Sequence, residues 1–473
     1  MADTLVSRSP ADATDEIGPF LVADRGAIDA AVTRARNAFP GWREIGFDAR
    51  AALLRRFAAL ARERSEEVAR LIAREVGKAL WDARGEAQLL AAKVDATLAD
   101  GMRAIAPIEA GAGVRATFHP RGVLGVLGPF NFPAHLPNGH IVPALATGNT
   151  VVFKPSELAP AVGAMLVALV REAGLPDGVL EIVQGGADVG RGLALHAGID
   201  GVLFTGSWAT GRALAEATLD QPGKLLALEM GGKNAMLVCA DADLDLAVAE
   251  AALSICATTG QRCSSLSRIF VEASLLDRFG DRLARVLTGI RIGAPLDPAV
   301  FMGPLVSCAA HARLMRVRAL AAQAGGERVL AGDCELPPPF VAPGLARFKD
   351  ASQQHAYHRE EIFAPEAGLY PVVDLDHAIA AANDCDYALA ASVMTRDRAR
   401  YDYAVGRVQA GILNWNRGTI GASGRLPFGG GKRSGNDRPA GILSTVYCTV
   451  PQSHLEYAGG FDPASLPPGM PRP

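Results

Sequence analysis

The sequence predicts an α/β protein built on parallel β-sheets. Short apolar segments rich in Val, Leu and Phe alternate with helical segments between about residues 122 and 413, and glycine or proline separates them. Strand, turn and helix in this repeated order are typical of a parallel sheet with helical crossovers, where ligands bind at the carboxyl ends of the strands. A chain of 473 residues is long enough to form two or three domains.

Composition and charge exclude several classes of protein. The net charge is −3, from 47 basic and 50 acidic residues without a long run of either sign, which argues against a nucleic-acid or polybasic membrane surface. The seven cysteines are scattered without metal-ligand spacing, and they predict reduced thiols and no metal site. No secretory signal and no membrane-spanning apolar run is recognisable. We therefore expect a cytoplasmic protein with no nucleic-acid and no membrane partner.

The N-terminal part predicts helices. Residues 1 to about 20 are rich in Ser, Pro and Asp and predict a loosely held lead-in. Apolar residues then recur at helical spacing from Arg25 until Pro40, which is expected to end the helix. Further helical tracts are predicted over 48–81 and 85–105, before the glycine-rich breaker at 110–113.

Polar residues follow the first two predicted strands. The strand at 122–128 leads into a turn between two prolines that holds Asn131, whose amide could donate to a developing oxyanion, although it could also be a turn-forming Asn. The strand at 150–154 ends at Lys154, with Glu157 close behind. This pair suits the two hydroxyls of an adenosine ribose, and a surface ion pair is the alternative.

A third strand, 201–205, runs into Gly206 and Ser207, where a helix over 209–218 is predicted. The N-terminal amides of that helix could hold a pyrophosphate. A GxGxxG fingerprint is absent, so this turn alone is weak evidence for dinucleotide binding.

The strongest chemical signal is Cys263 within Gly260–Ser265. Small neighbours leave its sulfur reachable, and Arg262 or local N–H groups could favour the thiolate, whereas a lone Cys is usually structural. Glu229 precedes it by 34 residues and ends another predicted strand. A carboxylate near a thiol nucleophile can activate the water that completes an acyl transfer.

The second half predicts another α/β domain over 268–413. Glu361 and Phe363 could contact a cofactor across an inter-domain cleft, or could be packing residues. The β-prone segment 444–450 is expected to pair with an edge strand of another subunit. The Pro-rich tail from Pro467 is expected to be disordered.

Six motifs, in this order, resemble the aldehyde dehydrogenase superfamily: 128–133, 204–207, 229–233, 260–263, 361–365 and 427–430. The resemblance extends from about Ala27 to about Glu456. It implies a Rossmann-type NAD-binding domain (1–102 and 121–228), an α/β catalytic domain (229–436), a small β oligomerisation arm (103–120 and 437–460) and a tail (461–473). A homodimer or homotetramer is expected.

The resemblance also implies roles for single residues. Cys263 is similar to the nucleophile, Glu229 to the general base, and Asn131 with the backbone N–H of Cys263 to the oxyanion hole. Residues that match the NAD-binding positions are Phe130, Lys154, Ser156, Glu157, Gly206, Ser207, Thr210, Gly211, Met230, Gly231, Glu361 and Phe363. Within the family, an acid at the position of Glu157 favours NAD over NADP.

Segments 135–145, 227–232 and 414–416 are also similar to a bacterial branch of the family that serves arginine catabolism. This narrower likeness implies a small-molecule aldehyde substrate that carries a carboxylate, such as N-succinylglutamate 5-semialdehyde. The chain departs from that branch at Lys233, Ser264, Ala364 and 417–419, but Arg417 keeps a positive charge near the expected substrate mouth. Aldehydes of another range, a CoA-acylating reaction, or a non-catalytic protein on the same scaffold are the alternatives.

Overall fold

Two mainly parallel sheets organise the chain, as the computed structural model of residues 3–350 and 354–473 shows. Residues 1–2 of the predicted lead-in and residues 351–353 of the predicted second α/β domain lie outside the described residues. The α/β class is confirmed. In the part of the chain that the structure describes, no helix is long and apolar enough to cross a membrane.

The lead-in is an ordered hairpin, so the prediction of a loose segment was wrong for the described residues. Strands Thr4–Ser9 and Asp12–Leu21 pair antiparallel. The Ser7 hydroxyl donates to the buried Glu75 carboxylate at 2.7 Å, and Arg74 pairs with Asp15. These contacts to a distant helix stabilise a segment whose composition is typical of a loop.

Four helices follow the hairpin: Arg25–Glu44, Gly46–Glu63, Ser65–Val76 and Leu80–Ala96, the last of which continues as a π-helical turn, Thr97–Gly101. The first helix continues past Pro40, contrary to the prediction. Its last turn is anchored by buried Trp42, whose indole Nε1 donates to the carbonyl oxygen of Leu145 at 3.2 Å. Gly77 ends the third helix with φ 75°, so the predicted tract over 48–81 is divided.

The first large sheet has five parallel strands, whose spatial order is Leu180–Ile182, Thr150–Lys154, Val123–Leu127, Gly201–Thr205 and Leu225–Glu229. The connecting helices are His135–Ala146, Pro160–Glu172, Ala187–Leu195 and Trp208–Ala217. Because helices cover both faces, the central strands are almost wholly buried, which explains their unbroken apolar sequence.

The second large sheet has seven strands, in the order Glu327–Leu330, Gly344–Arg347, Glu366–Val372, Leu266–Glu272, Asn234–Val238, Ala390–Met394 and Ile412–Trp415. The first pair is antiparallel and the other pairs are parallel. Its helices are Leu244–Cys256, Leu276–Thr288, Cys308–Gln323, Ala356–Arg359, Leu375–Asn383 and Arg398–Ala404. Short 3₁₀ turns are Ala257–Gly260, Ala273–Leu275 and Pro463–Ser465.

A third sheet joins distant parts of the chain. Strand Val114–Pro120 pairs antiparallel with Ile108–Gly111 on one side and with Thr449–Leu455 on the other. The prediction of a strand over 444–450 was wrong at its start, because Ser444–Tyr447 is a helical turn with buried Ser444 and Tyr447. The strand that follows pairs within its own chain and lies at the edge of this sheet.

Two short antiparallel ladders fasten the loops near the end of the chain: Tyr387–Ala388 with Gly431–Lys432, and Pro427–Phe428 with Ala440–Gly441. Residues 467–473 are exposed and lie outside helices and strands, and their disorder stays a prediction. The predicted domain boundaries also stay a prediction, although the five-stranded sheet lies within 121–229 and the seven-stranded sheet within 234–415.

Candidate active site

Two cavities meet at Cys263. The larger, a cleft of about 770 Å³, lies at the carboxyl ends of the five-stranded sheet, and the smaller has a volume of about 180 Å³. Three residues line both: Thr205, Met230 and Cys263. The thiol is therefore placed where a molecule in the cleft and a molecule in the smaller cavity can both reach it.

The backbone before Cys263 is held in an unusual conformation. Thr258 and Thr259 have φ of 53° and 55°, and Gly260 has φ of 66°. A β-carbon at position 260 would overlap the backbone of Ala364 and Pro365, so only glycine fits this close approach. Beyond it, the Asn234 amide donates to the carbonyl oxygens of Cys263 at 2.7 Å and Ser265 at 2.8 Å, which fixes the loop that carries the thiol.

The surroundings of Cys263 favour the protonated thiol over the thiolate. Burial, followed by the proximity of the Glu361 and Glu229 carboxyl groups, raises the pKa of Cys263 to about 12. Arg262 and a hydrogen bond with the Ser264 backbone lower this pKa, in the predicted direction, but burial and the two carboxyl groups outweigh them. The Arg262 guanidinium pairs with Asp82 at 2.6 Å, and its lowering effect on the thiol pKa is the smallest of the contributions.

Glu229 lies at the end of its strand and lines the smaller cavity. Its side chain is buried, and its Oε2 atom has no hydrogen-bond partner within residues 3–350 and 354–473. Burial raises the pKa of Glu229 well above its usual value. A carboxyl group with a raised pKa binds a proton more tightly and is a more competent base once that proton has left.

Asn131 is buried in the turn between two prolines and lines the cleft together with Cys263. Its Nδ2 atom donates to the carbonyl oxygen of Gln261 at 2.8 Å, which ties the amide to the loop that carries the thiol. A primary amide has two N–H donors, so one remains for a ligand.

Lys154 and Glu157 form an ion pair, which was the alternative to binding the hydroxyls of an adenosine ribose. Both residues also line the cleft. Lys154 Nζ lies 3.2 Å from Glu157 Oε2, and the Glu157 side chain is 47% exposed. Ser156 lies between them and lines the cleft as well. The pair presents an ammonium and a carboxylate to the same space.

The helix Trp208–Ala217 begins at the cleft. Gly206, Ser207 and Thr210 line the cleft, and the Ser207 hydroxyl caps the helix by accepting from the Thr210 backbone N–H at 3.2 Å. Gly211 lies beneath this surface, since a β-carbon there would overlap the Met230 side chain. The structure thus places Gly211 under the cleft wall and the other three on it.

The opposite half of the chain contributes Glu361 and Phe363. The Glu361 carboxylate accepts from the backbone N–H of Gly232 at 2.9 Å, and burial raises the pKa of Glu361 to about 7. A β-carbon on Gly231 would overlap this carboxylate. The rings of Phe363 and Phe130 meet edge to face at 5.8 Å, so residues of both halves form one wall.

These groups fit a dinucleotide. Two carboxylates and an ammonium suit ribose hydroxyls, and the N-terminal amides of a ten-residue helix suit a pyrophosphate. The cleft volume lies within the range of small-molecule and cofactor sites. Within residues 3–350 and 354–473, no group of three or more His, Cys, Asp or Glu side chains could hold a metal ion.

Sequence reasoning missed the lysine and the two histidines in the wall of the smaller cavity. Lys93, His135 and His140 line it, whereas Arg417, expected at the substrate mouth, is exposed and lies outside its lining. A lone lysine within the apolar helical run 89–94 was the available signal. Arg313, which donates to the carbonyl oxygen of Glu361 at 2.6 Å, was also missed in the larger cleft.

Comparisons with known proteins agree with this geometry. Residues 2–452 match the model of the aldehyde dehydrogenase family. The chain is 43% identical over 451 residues to N-succinylglutamate 5-semialdehyde dehydrogenase of Burkholderia mallei (strain SAVP1), covering 94% of this chain and 92% of the relative. The enzyme of the same name from Paraburkholderia xenovorans (strain LB400) is 42% identical with the same coverage.

Solved structures are similar over nearly the whole chain. A putative aldehyde dehydrogenase from Burkholderia cenocepacia has a TM-score of 0.91 and 32% identity, covering 99% of this chain and 96% of that chain. PnpE in complex with nicotinamide adenine dinucleotide has a TM-score of 0.92 and 32% identity, covering 98% of this chain and 96% of that chain. The matched sequence, the shared fold and the two cavities that meet at a cysteine lead to one conclusion. The chain belongs to the aldehyde dehydrogenase family.

Proposed function

We propose that the protein is an NAD-dependent aldehyde dehydrogenase that oxidises a carboxylate-bearing semialdehyde to the acid through a covalent intermediate on Cys263. The observation that carries the proposal is the position of Cys263 where the two cavities meet. A cleft that fits a dinucleotide lies on one side, and a smaller cavity with a buried acid lies on the other. Family membership supports the reaction class.

The first half of the proposed reaction forms a bond between Cys263 Sγ and the aldehyde carbon. The thiol proton passes to solvent water, and the carbonyl π electrons move to the aldehyde oxygen, which becomes negative. The free N–H of the Asn131 amide and the backbone N–H of Cys263 stabilise that oxygen, at roughly 2.7–4 kcal/mol for one such donor. NAD, when bound, supplies the acceptor for the hydride, and the acyl group stays on sulfur as a thioester.

In the second half, Glu229 takes a proton from a water molecule, whose oxygen attacks the thioester carbon. The carbon–sulfur bond breaks, and the electron pair returns to Cys263. The buried Oε2 of Glu229 without a partner, in the cavity that also contains the thiol, supports this role. The same observation favours water over CoA as the acyl acceptor. If the thiol of CoA took the acyl group, the enzyme would not need a base that deprotonates water.

The preference for NAD over NADP is proposed to depend on Glu157. Its carboxylate lies beside Lys154 in the cleft, where it can accept from ribose hydroxyls and would repel a 2′-phosphate.

Two observations support a carboxylate on the substrate, for which N-succinylglutamate 5-semialdehyde is the proposed example. The first is the 42–43% identity to enzymes named for that substrate. The second is the presence of buried Lys93 in the wall of the smaller cavity.

A homodimer or homotetramer is also proposed. The sheet that contains the last strand exposes apolar side chains along its length and just beyond it: Ile108, Val114, Val450, Leu455 and Tyr457. A second copy of the chain would cover this apolar surface.

Formation of NADH with a panel of aldehydes tests the proposal. Carboxylate-bearing semialdehydes, including N-succinylglutamate 5-semialdehyde, should give higher kcat/KM than aliphatic aldehydes of equal length, without added CoA. Strict dependence on CoA would contradict the hydrolytic reaction. Absence of turnover with every aldehyde, while NAD still binds, would favour a non-catalytic protein on this scaffold.

A further inference from the structure

Lys93 is a buried ammonium that has no counter-ion among the residues that the structure describes. It lies on the helix Leu80–Ala96, is 6% exposed and lines the smaller cavity. Its Nζ donates to the carbonyl oxygen of Gly441 at 2.7 Å and to the Ser444 hydroxyl at 3.4 Å. An ammonium has three N–H donors, so one remains. Among the described residues, Lys93 forms no ion pair with a carboxylate.

The other charged residues of this cavity leave the Lys93 charge uncompensated. The Arg262 guanidinium is already neutralised by Asp82. Glu229 is not among the groups to which Lys93 Nζ donates, and burial raises the pKa of Glu229 well above its usual value, which disfavours the carboxylate. A buried charge without a partner is costly, and proteins normally retain one where a ligand or another group completes it.

His135 provides a second, independent observation. Its side chain lines the same cavity, and its Nδ1 atom is buried without a hydrogen-bond partner in the described part of the chain. Burial, followed by the charges of Lys93 and Lys78, lowers the pKa of His135 to about 3, so the ring is neutral and carries one N–H donor. An unsatisfied ring nitrogen on a cavity wall indicates a polar group of a ligand.

We infer that Lys93 is the residue that recognises the carboxylate of the aldehyde substrate, with His135 as its hydrogen-bonding neighbour. The inference deepens the proposed function and rests on it. The ligand group is an anionic carboxylate, because the cavity offers an ammonium and an imidazole N–H, and Glu229, the one carboxyl group in its described lining, belongs to the chemistry. Lys93 is on this view a specificity-determining residue, while the chemistry belongs to Cys263 and Glu229.

The test compares glutarate semialdehyde with pentanal, which has the same chain length and a methyl group in place of the carboxylate. In Lys93→Met, kcat/KM for glutarate semialdehyde should fall roughly 30-fold or more, as expected when one partner of a buried charge pair is lost. Turnover of pentanal should be unchanged, which also shows that the variant is folded. N-succinylglutamate 5-semialdehyde should respond as glutarate semialdehyde does.

The matched control is Lys224→Met. Lys224 also donates to two backbone carbonyl oxygens, of Ala194 and His196, but lines neither cavity. Lys224→Met should leave kcat/KM unchanged for both glutarate semialdehyde and pentanal. Lys93→Gln, which can still donate to Gly441, and His135→Gln are the second variants, and both should lower only the turnover of glutarate semialdehyde.

Three outcomes would overturn the inference. If Lys93→Gln and Lys93→Met kept the wild-type preference for glutarate semialdehyde over pentanal, another group would bind the carboxylate. The proposed function would still stand. Equal losses with both aldehydes would place Lys93 in support of the fold or the chemistry. A wild-type enzyme that turns over pentanal better than glutarate semialdehyde would refute the inference together with the proposed substrate class, but not the dehydrogenase reaction.

Discussion

Replacement of Glu229 by Gln separates the two halves of the reaction. The amide has the shape of the carboxyl group, so packing against Gly429 and the cavity wall is retained. It cannot accept a proton from water, and no other carboxylate lines the smaller cavity among the described residues. General base catalysis contributes typically 10²–10⁴-fold, or about 3–5 kcal/mol, and steady-state kcat should fall by that factor.

The assay is rapid mixing of the Glu229→Gln enzyme with NAD and a semialdehyde while NADH is recorded. A burst approaching one NADH per active site should be followed by a slow phase, because hydride transfer precedes the step that needs the base. Denatured samples taken after the burst should carry the acyl group on Cys263. Cys263→Ala is the control and should give no burst. A normal steady-state rate in Glu229→Gln would refute the assignment, and loss of the burst would move Glu229 to the first half of the reaction.

Three further predictions concern other groups of the site. Asn131→Ala should lower kcat roughly 10²–10³-fold through the lost oxyanion donor, and a decrease in NAD affinity alone would contradict that role. Glu157→Gln should raise kcat/KM for NADP relative to NAD by roughly 5- to 10-fold, a modest factor because the side chain is half exposed; an unchanged cofactor ratio in initial rates would contradict it. Burial lowers the pKa of Lys93 to about 8, so the ratio of kcat/KM for glutarate semialdehyde to that for pentanal should fall as pH rises through about 8, as Lys93 loses its positive charge. Burial raises the pKa of the neighbouring Cys448 and lowers the pKa of His135 and His140. These three side chains therefore stay uncharged in this pH range. A ratio that is constant with pH would contradict this charge dependence.

Much of the fold could be predicted because its strands are buried on both faces. The predicted strands at 150–154 and 201–205 have the same bounds in the structure, since glycine and polar residues end each apolar run. The N-terminal hairpin could not be predicted in this way. Its local sequence is polar, and the contacts that order it, such as that of Ser7 with Glu75, join residues 68 positions apart.

In the candidate site, too, the residues in local motifs could be predicted, whereas effects that depend on distant parts of the chain could not. Cys263, Glu229 and Asn131 follow strands or tight turns, where side chains with chemistry are recognisable from the motif alone. Lys93 was missed because its environment comes from Gly441 and Ser444, about 350 residues later in the chain. The effect of Arg262 on the thiol pKa has the expected direction but is outweighed by burial of the thiol, and Asp82 already compensates that guanidinium.

The sheet that combines strands 114–120 and 449–455 has a consequence for biosynthesis. Arg121 Nε donates to the carbonyl oxygen of Tyr447, 326 residues later in the chain. Asn149 Nδ2 likewise donates to the carbonyl oxygen of Cys448. Ribosomes add about 5–20 residues per second, so an emerging first half waits roughly 15–65 s for these partners. Premature termination before residue 444 would leave the edge of strand 114–120 unpaired, and such nascent chains are expected to need chaperones.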